Sequence, residues 1–268
     1  MPAVLSEFYT DWCNSVSIWC PSARWGRTEM GKRQSAEEFE PSEPHGKRFF
    51  ENLEEFDRLL SIHEELTGAG PGRRHGVEVL NKSAVVLLTA CWEAYVEDLA
   101  VAAFDELLQA KSPDAIPPKV RAQVCEQLNK NPNATKPWSL AGDGWRNELR
   151  AYRDIVIDRH LRGFNTPKSE NVDALFSDLI GLRALSSHWN IGRFETAEDS
   201  RKRLDDLVIL RGDIAHRVKA ARTVRKTWVR QTSFFIARLA GASSLAVEKF
   251  IKKHVGHCSW ASESDSAG

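Results

Sequence analysis

The sequence contains no apolar run long enough to cross a bilayer. Its longest, Ala84 to Trp92 with Thr89 inside it, has about half of the roughly 18 residues a membrane helix needs. The N-terminus, MPAVLSEFYTDW, lacks the basic stretch followed by an apolar core that marks a secretory signal. Cysteine is sparse: Cys13, Cys20, Cys91, Cys125 and Cys258 make an odd number at scattered spacings, which argues against a disulfide framework and fits a reducing compartment. Together these absences predict a soluble, cytoplasmic protein with no membrane partner. Metal-ligand spacing is also missing. Cys13 and Cys20 lie too far apart for a zinc knuckle, no second pair exists, and His254, His257 and Cys258 form only a loose group. No metal site and no cofactor is expected. Gly26 to Lys32 nearly spells a phosphate loop, but Arg33 stands where Ser or Thr would hold magnesium, and no strand precedes it. Period-two alternation is absent as well, which removes the strand-built classes.

What is present is an ordinary globular mix, with 42% apolar and 28% charged residues, so wholesale disorder is excluded. Lys plus Arg and Asp plus Glu balance at 37 each, yet the charge is uneven along the chain. Glu37 to Glu65 holds ten acids against three bases, and Arg201 to Arg230 holds ten bases against three acids. The basic third points to an anionic partner, or else the two segments face each other or water.

Helical periodicity fills the chain after residue 46. Phe49, Phe50, Leu53, Phe56, Leu59, Leu60 and Ile62 form a stripe over Lys47 to Leu66, closed by the glycines from Gly68. The strongest helix spans Arg73 to Leu108. Val85, Leu88, Trp92, Tyr95, Val96, Leu99, Ala103 and Leu107 face a core, with Lys82, Thr89, Glu93 and Glu97 on another face. Further helices are expected over Pro118–Asn129, Trp145–His160, Ser169–Leu185 with Ser169 as its cap, and from Thr196 through Ile214 with Thr196 and Asp199 as a capping box. The last long one covers Val224 to Lys253. The class is all-α, a bundle of long antiparallel helices over residues 47–256, with an irregular extension over 1–46 and a flexible tail over 257–268.

The candidate for chemistry lies in the basic segment, at Arg211-Gly-Asp-Ile-Ala-His216. A histidine titrates near pH 6.5, so it can take a proton from a ribose 2′-hydroxyl or give one to a leaving 5′-oxygen. A guanidinium forks onto phosphate oxygens and offsets the charge that grows in the transition state. Arg217, Lys219, Arg222 and Lys226 continue the basic track, where an RNA backbone could lie. Spacing alone is weak evidence, because Arg-x4-His also occurs at Arg58–His63 and Arg183–His188, and Arg153–His160 has six intervening residues. Only the Arg211 match sits inside the basic segment.

Two stretches resemble a known family. Val208-Ile-Leu-Arg-Gly-Asp-Ile-Ala-His-Arg217 is similar to the Arg-x4–6-His signature of the HEPN superfamily, and Ala84 to Leu99 resembles the Trp-Glu-x-Tyr helix of its RiboL-PSP-HEPN branch. The resemblance implies a helical homodimer with Arg-His pairs at a composite cleft. It implies a metal-independent endoribonuclease, often a toxin or antiviral defence effector, with a possible antitoxin or partner protein. Carried over, Arg211 would hold the scissile phosphate, His216 would be the general acid/base, and Glu93 would orient one of them. The sequence departs from the pattern at Gly212, where active members often have Asn or another polar residue. A catalytically inactive module that binds RNA or protein is therefore the alternative, with a purely structural helical subunit a third reading.

Overall fold

The computed structural model describes residues 44–67, 78–161, 166–192, 195–217 and 223–260. Among them are seven α-helices, three short 3-10 turns and no strand. The helices are α1 (Pro44–Thr67), α2 (Glu78–Leu107), α3 (Pro118–Lys130), α4 (Gly144–Leu161), α5 (Ser169–Leu179), α6 (Ala197–Arg217) and α7 (Lys226–Val255). None of them is long and apolar enough to cross a membrane.

The apolar stripe of α2 is buried as its spacing requires, from Val85 through Trp92, Tyr95 and Leu99 to Leu107. Its second face is partly covered, with Lys82, Glu93 and Glu97 half-buried and Thr89 buried. Thr89 is 1% exposed and donates its hydroxyl to the Val85 carbonyl at 2.9 Å, so it needs no solvent. The cause is position: α2 packs against α1, α5, α6 and α7 and is the axis of the bundle. Arg48 pairs with Asp98 at 3.1 Å, and the Cys91 thiol donates to the Asn52 carbonyl, so α1 runs antiparallel to α2. Asn81 donates to the Val224 carbonyl and Tyr95 to that of Ala240, so α7 runs alongside α2 in the same sense.

Several boundaries differ from the expected ones, for local reasons. The first helix begins at Pro44, inside the stretch read as irregular, because His45 is buried against Tyr95 and Trp260 at ring distances of 5.9 and 5.1 Å. Ile62, placed in the core stripe, is 41% exposed, whereas Asp57 is buried. Ser169 is not the cap of α5: Lys168 holds that position, and the Asp205 carboxylate from α6 accepts from the Ser169 backbone N–H and hydroxyl at 2.8 and 3.0 Å. That helix stops at Leu179 rather than Leu185, since Gly181 turns the chain with φ +82° and a Cβ there would meet Pro117. At the C-terminal end, Cys258 and Trp260 are buried, so the chain stays on the body to Trp260.

Candidate functional site

Helix α6 opens with the capping box expected for it. Thr196 donates its hydroxyl and backbone N–H to the Asp199 carboxylate at 2.6 and 3.0 Å, and Asp199 N–H donates back to the Thr196 hydroxyl at 3.2 Å. Leu204, Leu207, Val208 and Ile214 are buried, which fixes the rotation of α6 against α2. The opposite flank stays toward solvent.

Helical hydrogen bonding continues through Gly212 to Arg217, so Arg211 and His216 stand on one unbroken helix. Five residues on such a helix place two side chains about 140° apart and about 7.5 Å along the axis. Arg211 is half-buried and His216 exposed. A Cβ on Gly212 would meet nothing within 4 Å, so no steric contact demands glycine there.

Glu93 comes from α2 to the Arg211 side of this face. Burial pushes its carboxyl above the ordinary range, and the Arg211 charge pulls it back. Glu97, one turn further along α2, is raised by the same burial and by the charges of Glu93 and Asp98. The Arg211 charge thus acts on the Glu93 carboxyl across two helices, although the two make no hydrogen bond or ion pair. His216 is on the same helix, but its side chain reaches solvent instead.

Of the other Arg-His matches, Arg153–His160 is committed to ion pairs. Arg153 pairs with Asp105 at 2.7 Å, and His160 with Asp178 at 3.0 Å, tying α4 to α2 and to α5. His63 is 5% exposed while Arg58 is exposed on α1. Arg183 and His188 flank and end a 3-10 turn. The basic segment is also less free than its composition suggested. Arg201 and Lys202 pair with Glu198 and Asp206, and Arg203 reaches Glu195 and the Gln231 carbonyl while stacking over Phe235 at 4.2 Å. Lys226 opens α7 and is half-buried. Lys219 and Arg222 lie outside the described residues, as do Cys13, Cys20 and the Gly26–Arg33 loop. Arg217 ends α6.

No group of three or more His, Cys, Asp or Glu among the described residues could hold a metal ion. Burial pushes the Cys91 and Cys258 thiols up to about 12, so neither is a thiolate nucleophile near neutrality. Sequence reasoning missed Asp57, whose carboxyl is 3% exposed with neither oxygen hydrogen-bonded, and Trp138, which is 80% exposed. A polar residue inside an apolar stripe was the available signal for the first. A Pro-flanked loop gave none for the second.

The family model of RiboL-PSP-HEPN matches residues 48–254. Neither the curated proteins nor the solved structures contain a match to this chain.

Proposed function

The chain belongs to the RiboL-PSP-HEPN family, and from that membership we propose that it is a metal-independent endoribonuclease, a toxin or phage-defence effector acting on RNA in the cytoplasm. The observation that carries the reading is the pull of the Arg211 charge on the part-buried Glu93 carboxyl of α2, with an exposed histidine, His216, on the same helix as the arginine. Neutral imidazole of His216 takes the 2′-hydroxyl proton as that oxygen attacks its own phosphate. The P–O5′ bond breaks, the 5′-oxygen leaves with a proton from a second acid, and the products are a 2′,3′-cyclic phosphate and a 5′-hydroxyl. Arg211 holds the non-bridging oxygens, where charge accumulates. Glu93 is a positioning residue that keeps the guanidinium toward the phosphate. DNA lacks the nucleophile and is not cut.

The angular separation of Arg211 and His216 bears on assembly. Side chains about 140° apart on one helix converge poorly on a single phosphate. A homodimer brings the arginine of one protomer to the histidine of its partner, giving two composite sites across a two-fold axis and supplying the second acid. Arg217, Lys219, Arg222 and Lys226 supply the backbone track, and an antitoxin or partner protein would cover the same face.

The test is induction of wild type, Arg211→Ala and His216→Ala at matched levels in bacterial cells, with 5′-hydroxyl ends mapped in total RNA. Wild type should generate new ends and arrest growth, and each variant should lower cleavage by about 100-fold or more. Equal cleavage by His216→Ala would end the nuclease reading. Gly212, in place of the polar residue of active relatives, favours a second reading, an inactive module that binds RNA or protein. Its signature is salt-sensitive binding that survives His216→Ala.

A further inference from the structure

A groove of about 450 Å³ lies between α3 and α4. Its floor is aliphatic: Val124 and Leu128, one turn apart on α3, face Ile155 of α4, which is 45% exposed. Its rim carries Lys130, Lys136 and Arg159 against one lining acid, Glu148, with Glu126 paired to Lys130 at its edge. Lys136 opens the 3-10 turn Lys136–Leu140 and donates to Glu148 at 2.6 Å, which pins that turn to α4. Two residues further along the same turn stands Trp138, the most exposed of the large hydrophobic side chains among the described residues. An exposed indole offers a broad flat face on which a base can stack. Arg159 makes no hydrogen bond or ion pair with a described residue, though its charge acts on Glu126, and Lys130 pairs with that same Glu126 at 2.6 Å, both side chains mostly exposed. Such exposed pairs contribute little and exchange readily for a phosphate. Helix α5 packs against α3, α4 and α6, so it stands between this groove and the Arg211 face.

We propose that the α3–α4 groove and Trp138 form a second, non-catalytic site for single-stranded RNA, with phosphates on Lys130 and Arg159 and a base stacked on Trp138. The proposal rests on the nuclease reading only for the identity of the nucleic acid and uses none of the cleaving residues. An exposed aromatic near solvent-exposed cations is the arrangement that binds single strands without reading their sequence. The excess of cations over acids on the rim selects a polyanion, and the aliphatic floor offers the ribose and base an apolar surface. In function, the site would hold the strand on one flank of the bundle while a distant phosphate reaches Arg211.

The probe is a labelled 2′-O-methyl oligouridylate of about 12 nucleotides, within the range of site sizes for single-strand platforms. It cannot be cleaved, because its 2′-oxygens are blocked. Binding to the full chain is followed by anisotropy across a salt series, for wild type, Trp138→Ala and the Lys130→Glu/Arg159→Glu pair. Cleavage of a dinucleotide, too short to reach the groove, is measured in parallel. Trp138→Ala should weaken binding about tenfold, and the charge-reversed variant should weaken it further and flatten the salt dependence, with dinucleotide cleavage unchanged in both. All three substitutions are at exposed side chains, and unaltered melting temperatures would verify the fold. Wild-type affinity in every groove variant, or no binding by wild type at low salt, would overturn the proposal and leave the groove to a protein ligand. Groove-dependent binding with no dinucleotide cleavage by any form would instead sink the nuclease reading and keep this one.

Discussion

Asp57 and His45 are buried titratable side chains that pull the pH dependence of stability in opposite directions. Burial raises the Asp57 carboxyl from 3.8 to about 6, against the pull of Arg230, so the folded chain binds a proton there that the unfolded chain has lost. Its contribution is present at low pH and disappears as pH rises through 6. Burial lowers His45 from 6.5 to about 4. Its contribution is full above 6.5 and disappears as pH falls toward 4. Each shift corresponds to at most about 3 kcal/mol. Asp57→Asn should therefore gain stability relative to wild type as pH rises from 4 to 7, and His45→Gln should gain as pH falls over the same interval. Thermal melts across that range would show it, and parallel curves for wild type and Asp57→Asn would mean the carboxyl is solvated in the folded chain. The sequence places Asp57 inside the apolar stripe, between Phe56 and Leu60, but only packing shows that its carboxyl is covered.

At the scale of one helix, α6 shows what local sequence can specify. Thr196→Ala removes the reciprocal cap and should cost about 1 kcal/mol in chemical denaturation. Gly212→Ala should raise stability by about 0.5–1 kcal/mol, because a Cβ meets open space and helical glycine is entropically costly. An unchanged cleavage rate in that variant would also show that glycine is no requirement of the chemistry. The capping box was legible because both partners lie three residues apart. The start of α5 was not, because its acceptor, Asp205, lies on α6, 36 residues away. The three-dimensional neighbour replaced the cap that Ser169 suggested.

For the whole molecule, α2 sets the stability. Trp92 is fully buried, donates its indole N–H to the Pro167 carbonyl at 3.1 Å, and meets Trp189 edge-on at 6.0 Å. Trp92→Ala should cost about 3–5 kcal/mol, read as the loss of midpoint in urea, against a change within about 0.5 kcal/mol for Trp138→Ala at the surface. Comparable losses from the two would contradict the placement of α2 at the axis. The tryptophans are alike in sequence, and only burial separates a core anchor from a candidate stacking platform.

The sequence by itself determined the helical class, the core stripe of α2, the α6 cap and the family, because each depends on spacing within a single element or on a contiguous motif. It also singled out Arg211 and His216 from three similar matches, through the charge around them. Tertiary structure decided which polar residues are buried. It placed Glu93 within the electrostatic reach of Arg211 across two helices and tied Arg153 and His160 into ion pairs with Asp105 and Asp178. It also cut the groove between α3 and α4 beside Trp138. Packing of one helix on another sets the dielectric and the neighbours of each charge, and neither is written in the order of residues along a single helix.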